Sequence, residues 1–224
     1  MRPLLIFGAS KGVGLELARQ ERSCGRTVFA LVREQSDAGG IGTAGAIVLR
    51  GDALKAADIA HVFEHVREEC DVVSTLGGQS ADGRRADDEG NVNVIAEAER
   101  TGRVSRFVLV TSIGCGEMAP FRSDRAIAAF GAVVDAKTRA EERLRTSGMP
   151  WTIIRPGGLL SEPATGRGIL SDDPEIHGFI HRQDVADLVS RALRDPATIG
   201  QALAAVDAGR MTCVRAVRPF PILA

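Results

Sequence analysis

Short apolar runs alternate with amphipathic stretches of helical length along most of the chain. An apolar run of four to six residues bounded by glycine or polar residues reads as a strand covered on both faces, and a longer stretch with period 3.6 as the helix that covers it. Leu4 to Phe7 reads as the first strand, and residues 13 to 24 as a helix stopped by Gly25. Thr27 to Val32 is the second strand. A loop rich in Gly and Ala (36 to 45) leads to a strand over 46 to 49, a helix over 56 to 69 and a strand over 71 to 76. A helix over 88 to 101 ends at Gly102, and the strand over 106 to 111 is almost wholly apolar and therefore central. The next helix spans 132 to 146 and stops at Gly148 and Pro150, ahead of a strand over 151 to 154. A helix over 184 to 194 and an edge strand over 202 to 206 complete the pattern, and the tail beyond Gly209 has no readable period.

Strands alternating with helices imply right-handed crossovers and an α/β doubly wound parallel sheet, a Rossmann fold, as one domain over residues 1 to 224. In such a sheet the ligand crevice lies at the carboxyl ends of the strands.

Composition narrows the function. The 28 basic and 29 acidic residues are interspersed, so the electrostatic footprint of a nucleic-acid binder is missing. No apolar run reaches the roughly 18 residues that span a bilayer, and no charged leader precedes Pro3. A cytoplasmic protein without a membrane partner is expected. Cys24, Cys70, Cys115 and Cys213 form no CxxC pair and read as reduced thiols.

The chemistry concentrates after the first strand, in Gly8-Ala9-Ser10-Lys11-Gly12-Val13-Gly14. Gly8 permits a tight turn at the strand end, Gly12 lets backbone N–H groups approach a pyrophosphate, and Gly14 allows close helix-to-sheet packing. With a strand before it and a helix and second strand after it, the loop has the context of a dinucleotide-binding βαβ unit. At the end of the second strand an acid would bind a ribose 2'-hydroxyl, whereas an arginine accommodates a 2'-phosphate. Arg33 stands there, followed by Glu34, and Lys11 adds a second cation, so NADP(H) is the expected cofactor.

The glycine loop, Ala30-Leu31-Val32-Arg33, Gly51-Asp52, Val110-Thr111-Ser112-Ile113-Gly114 and Ile154-Arg155-Pro156-Gly157-Gly158 together resemble atypical short-chain dehydrogenases/reductases. The chain is most similar to the NAD(P)H-binding, NmrA-like branch that includes biliverdin reductase B-type flavin reductases. The resemblance implies that Asp52 and Ala53 lie against the adenine, with Leu76, Gly77 and Gly78 beside the adenosine ribose. It also implies Thr111 and Ser112 near the nicotinamide, Pro156, Gly157 and Gly158 on its carboxamide side, and a substrate-covering region within about 156 to 182. The family's catalytic pattern is a serine, then a tyrosine, then a lysine four residues on. Ser112 and Lys137 match, but Val133 holds the tyrosine position and the chain has no tyrosine at all. Valine can neither donate nor accept a proton, so the family's usual acid is missing. His181 or its neighbour His177 is the candidate replacement.

The expected function is an NADPH-dependent reductase of a small planar or carbonyl acceptor, such as a flavin or quinone, with Ser112 orienting the acceptor and Lys137 holding the cofactor. Two alternatives stay open: a non-catalytic NADP-binding redox sensor or assembly factor, and a non-redox lyase, isomerase or cyclase. Oligomeric state is not legible. Cys115 reads as an inert buried thiol, and no G-x-S-x-G elbow supports a hydrolase. His61-Val62-Phe63-Glu64-His65 spells an inverted zinc-protease signature, but it lies on a crossover helix away from the crevice with no third ligand in reach by spacing. No metal is expected there. Protein purified without added metal should therefore carry no stoichiometric zinc; zinc that disappears in a His65→Ala variant would overturn this reading.

Overall fold

The computed structural model describes residues 1–223. Its strands are β1 (Leu4–Phe7), β2 (Val28–Val32), β3 (Ile47–Arg50), β4 (Cys70–Ser74), β5 (Val104–Val110), β6 (Trp151–Pro156), β7 (Gly158–Leu160), β8 (Gly168–Ser171), β9 (His177–His181), β10 (Gln201–Asp207) and β11 (Met211–Thr212). The helices are α1 (Gly12–Ser23), α2 (Gly39–Thr43), α3 (Ala56–Glu64), α4 (Asn91–Thr101), α5 (Asp124–Arg145) and α6 (Arg182–Arg194).

Eight strands form one sheet in the order β3-β2-β1-β4-β5-β6-β10-β8, parallel except for β8. This is the expected Rossmann-like doubly wound sheet. The chain winds outward from β1 through β2 to β3, then returns to place β4 on the other side of β1. Phe7 is paired with Leu31 on one side and Ser74 on the other. That reversal of winding splays the loops after β1 and β4 apart and opens the crevice.

Alternation along β1 shows how the sheet is held. Leu4 and Ile6 pack on one face with Leu17 of α1 and Val185 and Val189 of α6. Leu5 and Phe7 pack on the other with Ile59 and Phe63 of α3, Val94 and Ile95 of α4 and Leu144 of α5. All four β1 residues are buried on both faces, which is why the strand reads as an unbroken apolar run.

The structure corrects several boundaries. The strand over 202 to 206 is internal, because β10 lies between β6 and the antiparallel edge strand β8. Helix α5 begins at Asp124, well before position 132: the Ser123 hydroxyl accepts a hydrogen bond from the Ala126 amide and caps it. Ile127 and Phe130 are exposed in that first part, which hides the amphipathic period. Helix α3 stops at Glu64, short of 69. Within the Gly/Ala loop, Asp37 accepts from the Gly39 amide (2.7 Å) and opens α2, which buries Ile41. A π-helical turn over Ala86–Gly90 precedes α4, and β11, β9 and β7 form a second small sheet. Among the described residues no helix is long and apolar enough to cross a membrane.

The segment between β7 and β8 is tied down by α6. Asp184 is buried, and its carboxylate accepts hydrogen bonds from the Thr165 amide (3.0 Å) and the Gly166 amide (2.9 Å). Asp207 accepts from the Thr165 hydroxyl (2.5 Å). Replacing Asp184 with alanine leaves two backbone donors unpaired, at a cost of about 1–3 kcal/mol. An Asp184→Ala variant should unfold at lower denaturant, and trypsin should cleave it after Arg167 while sparing the native protein under the same conditions.

Candidate functional site

A crevice of about 770 Å³ runs along the carboxyl ends of β1, β2, β4 and β5. That volume is in the range of cofactor and ligand sites. One wall is the glycine loop: Gly8, Ser10, Lys11, Gly12 and Val13 all line it. Gly8 has φ +90°, and a Cβ there would lie 2.8 Å from Thr75 Oγ1 and 2.9 Å from the Thr75 carbonyl carbon. At Gly14, a Cβ would lie 2.6 Å from the Gly8 carbonyl oxygen. These distances are too short for any side chain, so glycine is required where α1 meets the sheet. Gly12 has φ +63° and opens α1. No side chain caps that helix and no acid occupies its first turn, so its leading N–H groups stay available to an anion in the crevice. The arrangement fits a dinucleotide pyrophosphate.

At one end of the crevice stand Lys11 and Arg33, both exposed and neither in an ion pair among the described residues. The Arg50 guanidinium shapes this end by donating to the carbonyls of Arg33 (2.9 Å) and Ser36 (3.0 Å). Asp52 and Ala53 line the adjacent wall. Asp58 accepts from the Asp52 amide (2.7 Å), and Asp52 accepts from the Leu54 amide (3.0 Å), which fixes the turn after β3.

The other end is built on a buried polar network. Lys137 Nζ lies 2.9 Å from Asp87 Oδ1, and Asp87 Oδ2 accepts from the Gly78 amide (2.8 Å). Lys137 is therefore a clamp on the loop after β4, through the buried carboxylate of the π-helical turn. The Thr111 hydroxyl at the end of β5 donates to Glu141 (2.6 Å), one helical turn beyond Lys137. Glu141 also receives Arg155 (2.6 Å), which bonds Glu117 as well (2.7 Å). Burial works against the Arg155 charge, but Glu141 and Glu117 more than offset it and raise its pKa above the ordinary arginine value. Beneath this network, burial first and Glu141 second push the Cys115 thiol up to about 11, so it remains a thiol at neutral pH.

Twelve of the residues singled out from the sequence meet in the crevice: Gly8, Ser10, Lys11, Gly12, Val13, Arg33, Asp52, Ala53, Gly77, Gly78, Thr111 and Lys137. Others stand behind it. Gly14 packs α1 on the sheet, and Leu76 lies against Gly90. Pro156 ends β6, Gly157 abuts the Gly178 carbonyl and Gly158 faces the Phe179 ring. Ser112 is half-buried just beyond the wall, its carbonyl accepting from the Cys115 amide (3.3 Å). Val133 is half-buried on α5, one turn before Lys137. His181 does not line the crevice. Its buried ring sits 3.5 Å from Asp184 and 4.0 Å from Asp207, among the groups that hold the 161–167 segment. Its ring also lies 4.0 Å from Glu162, which does line the crevice, so the histidine stands behind that wall within a cluster of carboxylates. The crevice also contains Ser161, Glu162 and Arg182, which fall within the expected covering region but were not singled out by residue, and Gln183; the packing of α6 on α1 brings Arg182 and Gln183 there.

With this geometry in hand, comparison with known proteins is informative. A family model described as NAD(P)H-binding matches residues 8–196. The structure superposes on ChuY, an anaerobillin reductase from Escherichia coli O157:H7, with a TM-score of 0.84 and 38% identity over 92% of this chain and 97% of that one. The chain is 29% identical over 206 residues to YhfK of Bacillus subtilis, described as an uncharacterized sugar epimerase, covering 89% of this chain and 91% of that protein. It is also 38% identical over 109 residues to the sanguinarine reductase of Eschscholzia californica, covering 46% of this chain and 38% of that one. Chloroplastic plant relatives are matched over only 14 to 42% of their length. The glycine cradle, the crevice at the strand ends and the family match agree: the chain belongs to the NAD(P)H-binding family of Rossmann-fold proteins related to the atypical short-chain dehydrogenases/reductases.

Proposed function

We propose that the protein is an NADPH-dependent reductase of a small planar or conjugated acceptor, working without a catalytic tyrosine. The observation that carries this reading is the pairing of a dinucleotide crevice, which holds two uncompensated cations, with a valine on α5 one turn before Lys137, the lysine that lines it. The description of two relatives as reductases supports it.

Bound NADPH would supply a hydride, and the chain's own residues divide the remaining work. Lys11 and Arg33 hold the 2'-phosphate, and the N-terminal amides of α1 hold the pyrophosphate. Lys137, steadied by Asp87, holds the loop at Gly77 and Gly78, which the resemblance puts beside the adenosine ribose. Thr111, locked by Glu141, fixes the end of β5, and Ser112 offers one orienting hydrogen bond to the acceptor. Val133 presents only an apolar surface, so the proton that balances hydride transfer comes from water. An electron-poor acceptor tolerates this, because placement of donor and acceptor carries most of the barrier reduction.

Titration should show tighter binding of NADPH than NADH, and Arg33→Ala should erode the difference by about ten- to hundredfold, the range of a charge-assisted contact. Equal affinity of the native protein for both cofactors would contradict the assignment. In stopped-flow assays with flavin, quinone and linear conjugated acceptors, at least one should oxidise NADPH rapidly. Tight binding with no turnover across that panel would favour a non-catalytic sensor. Lys137→Met leaves the buried Asp87 unpaired and should cost up to about 3 kcal/mol of stability. Adding Asp87→Asn should restore most of the stability but not the cofactor affinity, and recovery of both would show that Lys137 has only a structural role.

A further inference from the structure

We infer that Arg182 is a cofactor-binding residue that reaches the phosphate side of the glycine loop from the opposite end of the chain. Strand β9 runs directly into α6, and Arg182 is the first residue of that helix. Helix α6 lies along α1, where Leu17 and Ala18 pack with Val185 and Val189. Glu21 accepts from the Ser190 hydroxyl, and the Gln20 side chain donates to the Gln183 carbonyl (3.3 Å). This packing fixes the start of α6 beside the start of α1. A methyl group built on Gly12 would lie 3.6 Å from Arg182 Nε and 3.8 Å from its Cδ. The guanidinium thus stands over the residue whose amide opens the anion-binding helix.

Its hydrogen bonding leaves the face toward the crevice available. Nη1 donates to the Leu159 carbonyl (3.2 Å) and to Ser161 Oγ (2.7 Å), which fixes the plane of the group. Among the described residues, Nε and Nη2 have no hydrogen-bond partner, and no carboxylate forms an ion pair with Arg182. Of the acids that line the crevice, none pairs with it. Glu16 pairs with Arg19 (2.9 Å), and Glu162 is exposed to solvent. A half-buried arginine with two spare donors, pre-set beside the positive end of a helix, is electrostatically unfavourable until an anion arrives. The anion that fits is the pyrophosphate, common to every nicotinamide dinucleotide. Arg182 should therefore raise affinity without choosing between NADPH and NADH, in contrast to Lys11 and Arg33.

The inference rests on dinucleotide binding in this crevice, which the wild-type titration checks separately. NADPH, NADH, ADP-ribose and adenosine 2'-monophosphate are titrated by calorimetry into the wild type, Arg182→Ala, Arg182→Lys and Arg33→Ala. Arg182→Ala should weaken NADPH, NADH and ADP-ribose each by about ten- to hundredfold, leave adenosine 2'-monophosphate unchanged, and preserve the melting temperature. Arg182→Lys should recover part of the loss, since it keeps the charge but not the fork of donors. Arg33→Ala should instead weaken NADPH and adenosine 2'-monophosphate and spare NADH. Wild-type affinity of Arg182→Ala for ADP-ribose overturns the proposal. So does an equal loss for adenosine 2'-monophosphate, which would mean that the variant acts through the fold. A wild type that binds no dinucleotide refutes the underlying site as well. If Arg182→Ala does not fold, Arg182→Gln carries the same comparison.

Discussion

No side chain fits where α1 meets the ends of β1 and β4, and the rest of the molecule is arranged around that contact. A Cβ on Gly14 would press within 2.6 Å of the Gly8 carbonyl oxygen, and one on Gly8 would collide with Thr75. The Thr75 hydroxyl closes the contact by donating to the Gly8 carbonyl (3.0 Å), and the Thr75 amide continues the β1–β4 ladder by donating to the Phe7 carbonyl (2.9 Å). Because α1 lies this close, its uncapped N-terminus opens at the crevice, where Gly12 and Val13 line the wall. The partial positive charge of the helix end and the strand-end loops then share one cleft.

The two ends of that cleft are electrostatically unlike. At the end formed by Lys11 and Arg33 the cations are exposed and uncompensated, a state that costs little in water and favours a polyanion. At the other end the charges are paired: Lys137 with Asp87, and Glu141 and Glu117 with Arg155 and Arg145. This hydrogen-bonded network holds Thr111 and the loop at Gly77 in place. The buried Cys115 thiol, with its pKa pushed up to about 11, stays protonated beside it. Under the proposed reductase reading, chemistry in this cleft depends on placement far more than on acid or base catalysis.

Much of the sheet was legible in the sequence because burial on both faces leaves an unmistakable mark. Leu4–Phe7 and the run from Phe107 to Val110 must be apolar at every position to satisfy the helices above and below, so their strand character survives without any tertiary information. The glycine loop was legible for the same kind of reason, since its spacing answers a steric demand. What was missed depends on contacts distant in sequence or on exposed apolar residues. The early start of α5 is masked by Ile127 and Phe130, and the internal position of β10 follows from its pairing with β8, a short strand with no apolar alternation of its own. Arg182 and Gln183 reach the crevice only through the packing of α6 on α1, which no local pattern records. His181 was legible only as a position near the covering segment; its burial beside Asp184 and Asp207, which hold residues 161–167, depends on contacts made by the fold.

Hydrogen–deuterium exchange with and without NADP⁺ tests most directly whether the strand-end crevice is where the dinucleotide binds. Saturating NADP⁺ should slow exchange at the amides of residues 10–14, 51–54 and 76–80, with the peptide that begins α6 protected alongside them, while the outer faces of α3 and α4 exchange as before. Unchanged exchange across the glycine loop and the loop after β4, at a concentration where binding is seen by calorimetry, would contradict this account and require the cofactor to sit elsewhere on the molecule.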